Sequence, residues 1–264
     1  MSDERPAAEP AHVVVTGASS GIGAALVREY AGSGARVTMV ARRGALLEQL
    51  AAELGDRVAV VLADLSRPEQ ATAWLDGAQA RFGPVDTLIN NAGVQIVART
   101  VEVECDAMRS LFEVDLLSPL ALIQRVLPGM LARDRGAIVN IASLAALAPT
   151  PGMTHYSAAK AGIAAASECL RGELRETGVR VLTVYPGPVD TPMARAAYDV
   201  VPPTTAVKLL PEGVPTVLAR RIRMAVERRR ARIVYPRVYV LARHTPALTR
   251  MMMDAMTPLP PSRA

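Results

Sequence analysis

Cysteine is almost missing from this sequence. Cys105 and Cys169 are the only two, too few and too far apart for a disulfide framework or a thiolate metal site, so a reducing, cytoplasmic setting without bound metal is the expectation. Aromatic residues make up 3%, which leaves little to stack bases on, and no nucleic-acid motif accompanies the net charge of +5. A basic balance of this size serves solubility or an anionic ligand instead. Lysine is scarcer still: of 30 lysines and arginines only Lys160 and Lys208 are lysines. No stretch reads as apolar enough for long enough to cross a bilayer, and the acidic, proline-rich leader over 1–11 lacks the basic-then-apolar pattern of a secretory signal.

What is present is apolar and periodic. At 264 residues and 50% hydrophobic content the chain fits one α/β domain over 12–237, followed by an amphipathic extension over 238–264. Strand-like runs over 12–15, 35–40, 58–62, 87–89, 137–142, 179–184 and 232–236 alternate with helical patterns over 24–33, 46–54, 68–82 and 214–230.

Directly after the first of these runs comes Thr16-Gly17-Ala18-Ser19-Ser20-Gly21-Ile22-Gly23. Gly17 permits a tight turn, while Gly21 and Gly23 remove side chains where backbone approaches a pyrophosphate and helix packs on strand. The following helix aims its amino end at the turn, so Ser19, Ser20 and Ile22 join the three glycines as candidate phosphate contacts. The second strand ends at Arg42-Arg43, where a carboxylate would hold ribose hydroxyls and an arginine accommodates a 2′-phosphate. NADP(H) is therefore expected over NAD(H), with Arg42 the leading contact, Arg43 second and the Ser19 hydroxyl assisting. Asp64, with Leu65 beside it, ends the third strand and either accepts from an adenine amino group or helps cap a helix through Ser66. Asn90-Asn91-Ala92-Gly93 ends the fourth; its small residues let a flat ligand approach, and one asparagine is as suited to tying strands together as to touching the ligand.

Tyr156 and Lys160 lie four residues apart and share a face if that stretch is helical. A cation beside a phenol favours phenolate and lowers the tyrosine pKa, which prepares it for proton exchange. Ser143, thirteen positions before Tyr156, supplies a hydroxyl for the same substrate oxygen. Tyr-x-x-x-Lys by itself recurs on ordinary solvated helices; the upstream motifs give it meaning. His155 points about 100° away around the helix and has no assigned role.

Thr16-Gly-x-x-x-Gly21-Ile-Gly23, Asn90-Asn-Ala-Gly93, Ser143 and Tyr156-x-x-x-Lys160, in that order and at those separations, resemble the short-chain dehydrogenase/reductase family over roughly residues 11–193. The resemblance implies a Rossmann-like, doubly wound parallel sheet of about seven strands binding a nicotinamide cofactor at the strands' carboxyl ends. It implies Tyr156 as general acid/base, Ser143 orienting the substrate carbonyl, and Lys160 holding the nicotinamide ribose while lowering the tyrosine pKa. It also places Asn91, Ala92, Gly93, Pro186, Gly187, Val189 and Thr191 along the cofactor, a substrate flap over 192–210, and a homodimer or homotetramer joined through the helices bearing Asp115 and Tyr156. One position departs from the pattern. Where the family usually has an asparagine in a proton relay to the lysine, this chain has Asp115, which can order a water, cannot donate as an amide does, and stabilises an ammonium nearby.

The functional expectation is an NADP(H)-dependent oxidoreductase that interconverts a ketone or aldehyde and an alcohol on a hydrophobic small molecule. The alternative, left open by Asp115, is an NADP(H)-binding redox-sensing regulator with little turnover. The methionine-rich stretch 238–256 suits core or subunit packing first, with a cap over the substrate pocket or contact with a lipid surface as the other readings.

Overall fold

The computed structural model describes residues 10–202, 211–240, 245, 251, 259 and 260; the leader up to residue 9, the second half of the expected flap and most of the extension lie outside them. Among the described residues seven strands alternate with helices: β1 (His12–Thr16), α1 (Gly21–Gly32), β2 (Arg36–Ala41), α2 (Gly44–Leu54), β3 (Val58–Leu62), α3 (Pro68–Ala71), α4 (Leu75–Phe82), β4 (Thr87–Asn90), α5 (Cys105–Phe112), α6 (Ser118–Ala132), β5 (Gly136–Ile141), α7 (Thr154–Glu173), β6 (Val179–Pro186), α8 (Pro192–Val200), α9 (Pro215–Glu227) and β7 (Arg232–Tyr235). The strands form one parallel sheet in the order β3-β2-β1-β4-β5-β6-β7. The order reverses between β1 and β4, and a crevice opens at the carboxyl ends of strands on either side of such a switch point.

Alternation along each strand divides the core. Val13 and Val15 face the layer of α1, α2 and α9, packing with Leu26, Leu47 and Leu218, whereas Val14 faces the opposite layer with Leu122, Val126 and Met130 of α6. Each such fully buried leucine or valine contributes about 1.5–3 kcal/mol relative to exposure. His12 is a core histidine. Its Nδ1 meets the Gly83 carbonyl at 2.8 Å and its Nε2 meets Thr38 Oγ1 at 2.9 Å; a carbonyl only accepts, so Nδ1 carries the proton and Nε2 accepts from the hydroxyl.

A buried polar seam ties α7 to the sheet. Asn90 Nδ2 donates to Asn140 Oδ1 at 2.8 Å, Asn140 Nδ2 donates to Ser167 Oγ at 2.8 Å, and Ser167 Oγ donates to the Ile163 carbonyl at 2.7 Å. Asn90 thus joins β4 to β5 and has a structural role.

Two expectations require correction and a third gains detail. The helix expected over 68–82 is two short helices, because Thr72 leaves helical geometry at φ −125°. The expected flap begins as a regular helix, α8, whose N-cap Thr191 accepts from the Ala194 N–H at 3.2 Å. The continuous helical segment Cys105–Ala132 does meet the length and apolarity of a membrane span, although the charges in it hid that in the sequence. Its apolar face is Leu111, Leu122, Val126 and Met130, all buried, and it packs on β4 and β5, which makes it a core helix.

Candidate active site

A cleft of about 940 Å³ runs along the carboxyl ends of the strands, within the size range of ligand sites. Gly17 turns the chain at φ +65°, and a Cβ there would come within 2.7 Å of Ala92 Cα. A Cβ on Gly23 would lie 2.1 Å from the Gly17 carbonyl oxygen, so the turn closes on α1 only when that position is bare. Helix α1 has no acidic residue in its first turn and its N-cap Ser20 makes no side-chain bond to it. Its amino end therefore suits an anion, and the bare cradle fits a dinucleotide pyrophosphate. Asn91 braces the cradle from β4: its Nδ2 donates to the Thr16 carbonyl at 2.9 Å, and its N–H and that of Ala92 each donate to Thr16 Oγ1 at 3.0 Å.

At one end of the cleft the two arginines separate. Arg43 donates through Nη2 to Ser19 Oγ at 2.8 Å and to Ser20 Oγ at 2.6 Å, while Arg42 turns toward Asp64 with Nη1 and Oδ1 3.9 Å apart. Asp64 Oδ1 accepts from the N–H and hydroxyl of Ser66. Burial works against the charge on this carboxylate, yet the Ser66 bonds and the Arg42 and Arg67 guanidiniums outweigh it and hold the pKa low.

At the other end stand Ser143, just after β5, and Tyr156 and Lys160 on α7. Between α5 and α6 the helix widens into a π-turn, Glu113–Leu117, a local form found often at functional positions. The turn buries Asp115 completely. Lys160 Nζ lies 3.2 Å from Asp115 Oδ2 and donates to the Ile141 carbonyl at 3.1 Å; Asp115 Oδ1 accepts the Val94 N–H at 2.7 Å. The ammonium sits 5.8 Å from the Tyr156 ring centroid.

The electrostatics differ from the expectation that the lysine leaves the phenol below its ordinary range. Burial pushes the Tyr156 phenol up; Lys160 and Ser143 pull it down, and Asp115 adds to the rise, so the net direction is upward. Burial opposes the Lys160 charge, but Asp115 and Tyr156 prevail and its pKa rises. Burial likewise raises Asp115, against the pull of Lys160 and the Val94 N–H.

Gly17, Ser19, Ser20, Gly21, Ile22, Gly23, Arg42, Arg43, Asp64, Leu65, Asn91, Ala92, Gly93, Ser143, Tyr156, Lys160, Pro186, Gly187, Val189 and Thr191 all line the cleft. Asp115 does not; it sits behind Gly93 and Lys160. Val94, Ala145 and Met153 pack with Tyr156, and Val97, Tyr198 and Tyr239 also line the cleft; of these only Tyr198, in the expected flap, and Tyr239, in the C-terminal stretch, fall where the sequence suggested a cover over the substrate. Loops scattered along the chain supply the others, and no periodicity signals them.

Sheet order, bare glycine cradle and buried Tyr–Lys pair define a doubly wound α/β protein with its ligand cleft at the carboxyl ends of the strands. The family model for short chain dehydrogenases matches residues 11–200, and the chain belongs to that family. It is 37% identical over 185 residues, 69% of this chain and 79% of the relative, to an oxidoreductase of Staphylococcus saprophyticus. Among solved structures, a short-chain dehydrogenase from Sphingobium yanoikuyae in complex with NADPH superposes with a TM-score of 0.77 at 31% identity, covering 96% of this chain and 98% of that one. A short chain dehydrogenase/reductase from Burkholderia phymatum in complex with NAD gives a TM-score of 0.81 at 27% identity, over 95% and 98%.

Proposed function

We propose that the chain is an NADP(H)-dependent oxidoreductase that interconverts a ketone or aldehyde and the corresponding alcohol on a predominantly apolar small molecule. The observation that carries this reading is the convergence of Ser143, Tyr156 and Lys160 on one cleft with the glycine cradle. In it the turn from Gly17 to Gly23 and the amino end of α1 would hold the pyrophosphate, Ser19, Arg42 and Arg43 the 2′-phosphate, and Asp64 and Leu65 would border the adenine. Asn91, Ala92, Gly93, Pro186, Gly187, Val189 and Thr191 would border the nicotinamide half, and Lys160 would hold its ribose. When bound, the nicotinamide supplies or removes the hydride equivalent at the substrate carbon.

The protein's own groups handle the oxygen. Ser143 donates a hydrogen bond to the carbonyl, and Tyr156 delivers the proton as negative charge grows there, or takes it back in the oxidative direction. The apolar walls exclude water and select an apolar substrate body. The solved relatives include complexes with NADPH and with NAD; the arginine pair and the absence of a carboxylate at the end of β2 favour the phosphorylated form for this chain. The redox-sensing alternative gains no support from the comparisons. Self-association through the helical segments bearing Asp115 and Tyr156 would cover the exposed Leu117 of the π-turn and Leu131 of α6.

The test is loss of NADPH absorbance with a panel of aryl and alicyclic ketones, for the parent and for Tyr156→Phe. Turnover by the parent and its loss by a factor of about 100 or more in the variant, with NADPH binding retained, is the expected result. Equal turnover by both would remove Tyr156 from the chemistry, and no turnover with any ketone would sink the reductase reading.

A further inference from the structure

The buried charges behind Tyr156 cancel. Lys160 brings one positive charge and Asp115 one negative charge, 3.2 Å apart, with side-chain exposures of 5% and 0%. Each partner is fixed independently, Asp115 by the Val94 N–H and Lys160 by the Ile141 carbonyl. Gly93 leaves room for both: a Cβ there would lie 3.3 Å from Asp115 Oδ2 and 3.3 Å from Lys160 Nζ. The groups that act on the phenol from the elements around it are Lys160 on its own helix, Asp115 on the π-turn and the Ser143 hydroxyl after β5.

A lone ammonium in such a place would be neutralised by phenolate, and ionisation of the tyrosine would relieve a buried charge. With the carboxylate present the pair is already neutral, and ionisation would leave a net negative charge away from water, which is disfavoured. We propose that Asp115 is a positioning residue that cancels Lys160, keeping Tyr156 a proton-holding phenol until a positive charge enters the cleft. The inference rests on the reductase reading for its meaning. An oxidised nicotinamide ring is cationic and a reduced one is neutral, so the tyrosine keeps its proton in company with the reduced form, when the proton is to be given. It releases the proton in company with the oxidised form, when one is to be received. Asp115 thereby couples the proton to cofactor charge and leaves the free protein holding the proton that carbonyl reduction consumes.

The coupling is measurable without cofactor or substrate. Rapid alkaline titration of phenolate absorbance, with the Tyr156→Phe curve subtracted to remove the other five of the six tyrosines, gives the Tyr156 midpoint. Asp115→Asn keeps an acceptor for the Val94 N–H and removes the charge; its midpoint is expected at least about one unit below that of the parent. Lys160→Met leaves the carboxylate uncancelled, and its midpoint is expected above that of the parent. Should Asp115→Asn not fold, the double variant Asp115→Asn/Lys160→Met must titrate below Lys160→Met, since it differs from it only in the carboxylate. Midpoints that do not move with the carboxylate in either background overturn the proposal. Because no nucleotide is present, that failure leaves the reductase reading standing, and failure of ketone turnover leaves the titration standing.

Discussion

Removing the Arg43 guanidinium is the most direct way to ask which nucleotide the cleft is built for. Arg43 spans Ser19 and Ser20, donating to both hydroxyl oxygens, and each serine that accepts from it keeps its own O–H free to donate. A phosphate placed there would meet a guanidinium and two oriented hydroxyls. A hydrogen bond to a charged group contributes about 1.5–3 kcal/mol, which corresponds to about 10- to 140-fold in affinity. Arg42 offsets the loss only in part, since its side chain is largely exposed and a solvated charge contact contributes about 0–1 kcal/mol. Arg43→Ala is therefore expected to weaken NADPH binding by about 10- to 140-fold while leaving NADH binding little changed, and the difference should shrink with added salt. Calorimetric titration of parent and variant with both nucleotides reads this directly. If the variant loses both nucleotides equally, or if the parent binds NADH as tightly as NADPH, the argument for a 2′-phosphate site fails.

Two further predictions concern the scaffold. Gly23→Ala puts a Cβ 2.1 Å from the Gly17 carbonyl oxygen, an overpacking that costs about 1–3 kcal/mol; a lower melting temperature with loss of NADPH binding is expected, and an unchanged variant would show the cradle to be looser than described. His12 has its pKa lowered from 6.5, chiefly by burial, with the Gly83 bond and Asp86 opposing. The unfolded chain thus takes up a proton at higher pH than the folded one, so stability is full above about pH 6.5 and falls as the pH drops below it. Denaturant melts across that range should show a slope that His12→Gln flattens; equal slopes would exclude His12 as its source.

Much of this was readable in the residues, for identifiable reasons. The strands of a sheet buried on both faces are β-branched runs such as Val13–Val15, and such runs announce themselves. The cradle was readable because only glycine tolerates the approach that Gly17 and Gly23 make. Helix interruptions were less visible: nothing local distinguishes Thr72 from a residue that continues a helix. The π-turn at Glu113–Leu117 leaves no periodic trace, and although the resemblance put Asp115 near Lys160, 45 residues on, the direct ion pair is made only where that turn packs on α7. The arginines show the same limit. The sequence put two guanidiniums after β2, but which of them meets the serines depends on side-chain directions set by α1 and β3. The phenol illustrates it most sharply: the amine and the carboxylate beside it were both legible, but burial, the largest influence on Tyr156, comes only from the packed fold and turns the net direction upward.

The amide seam through Asn90, Asn140 and Ser167 has a consequence for how the protein tolerates change. Apolar contacts let a helix slide or roll by small amounts, whereas paired amides admit a single alignment. The reactive ring's position is thus latched deep within the molecule, three turns along α7 from the ring itself, so the outer face of that helix is free to diversify or meet neighbours without disturbing the chemistry.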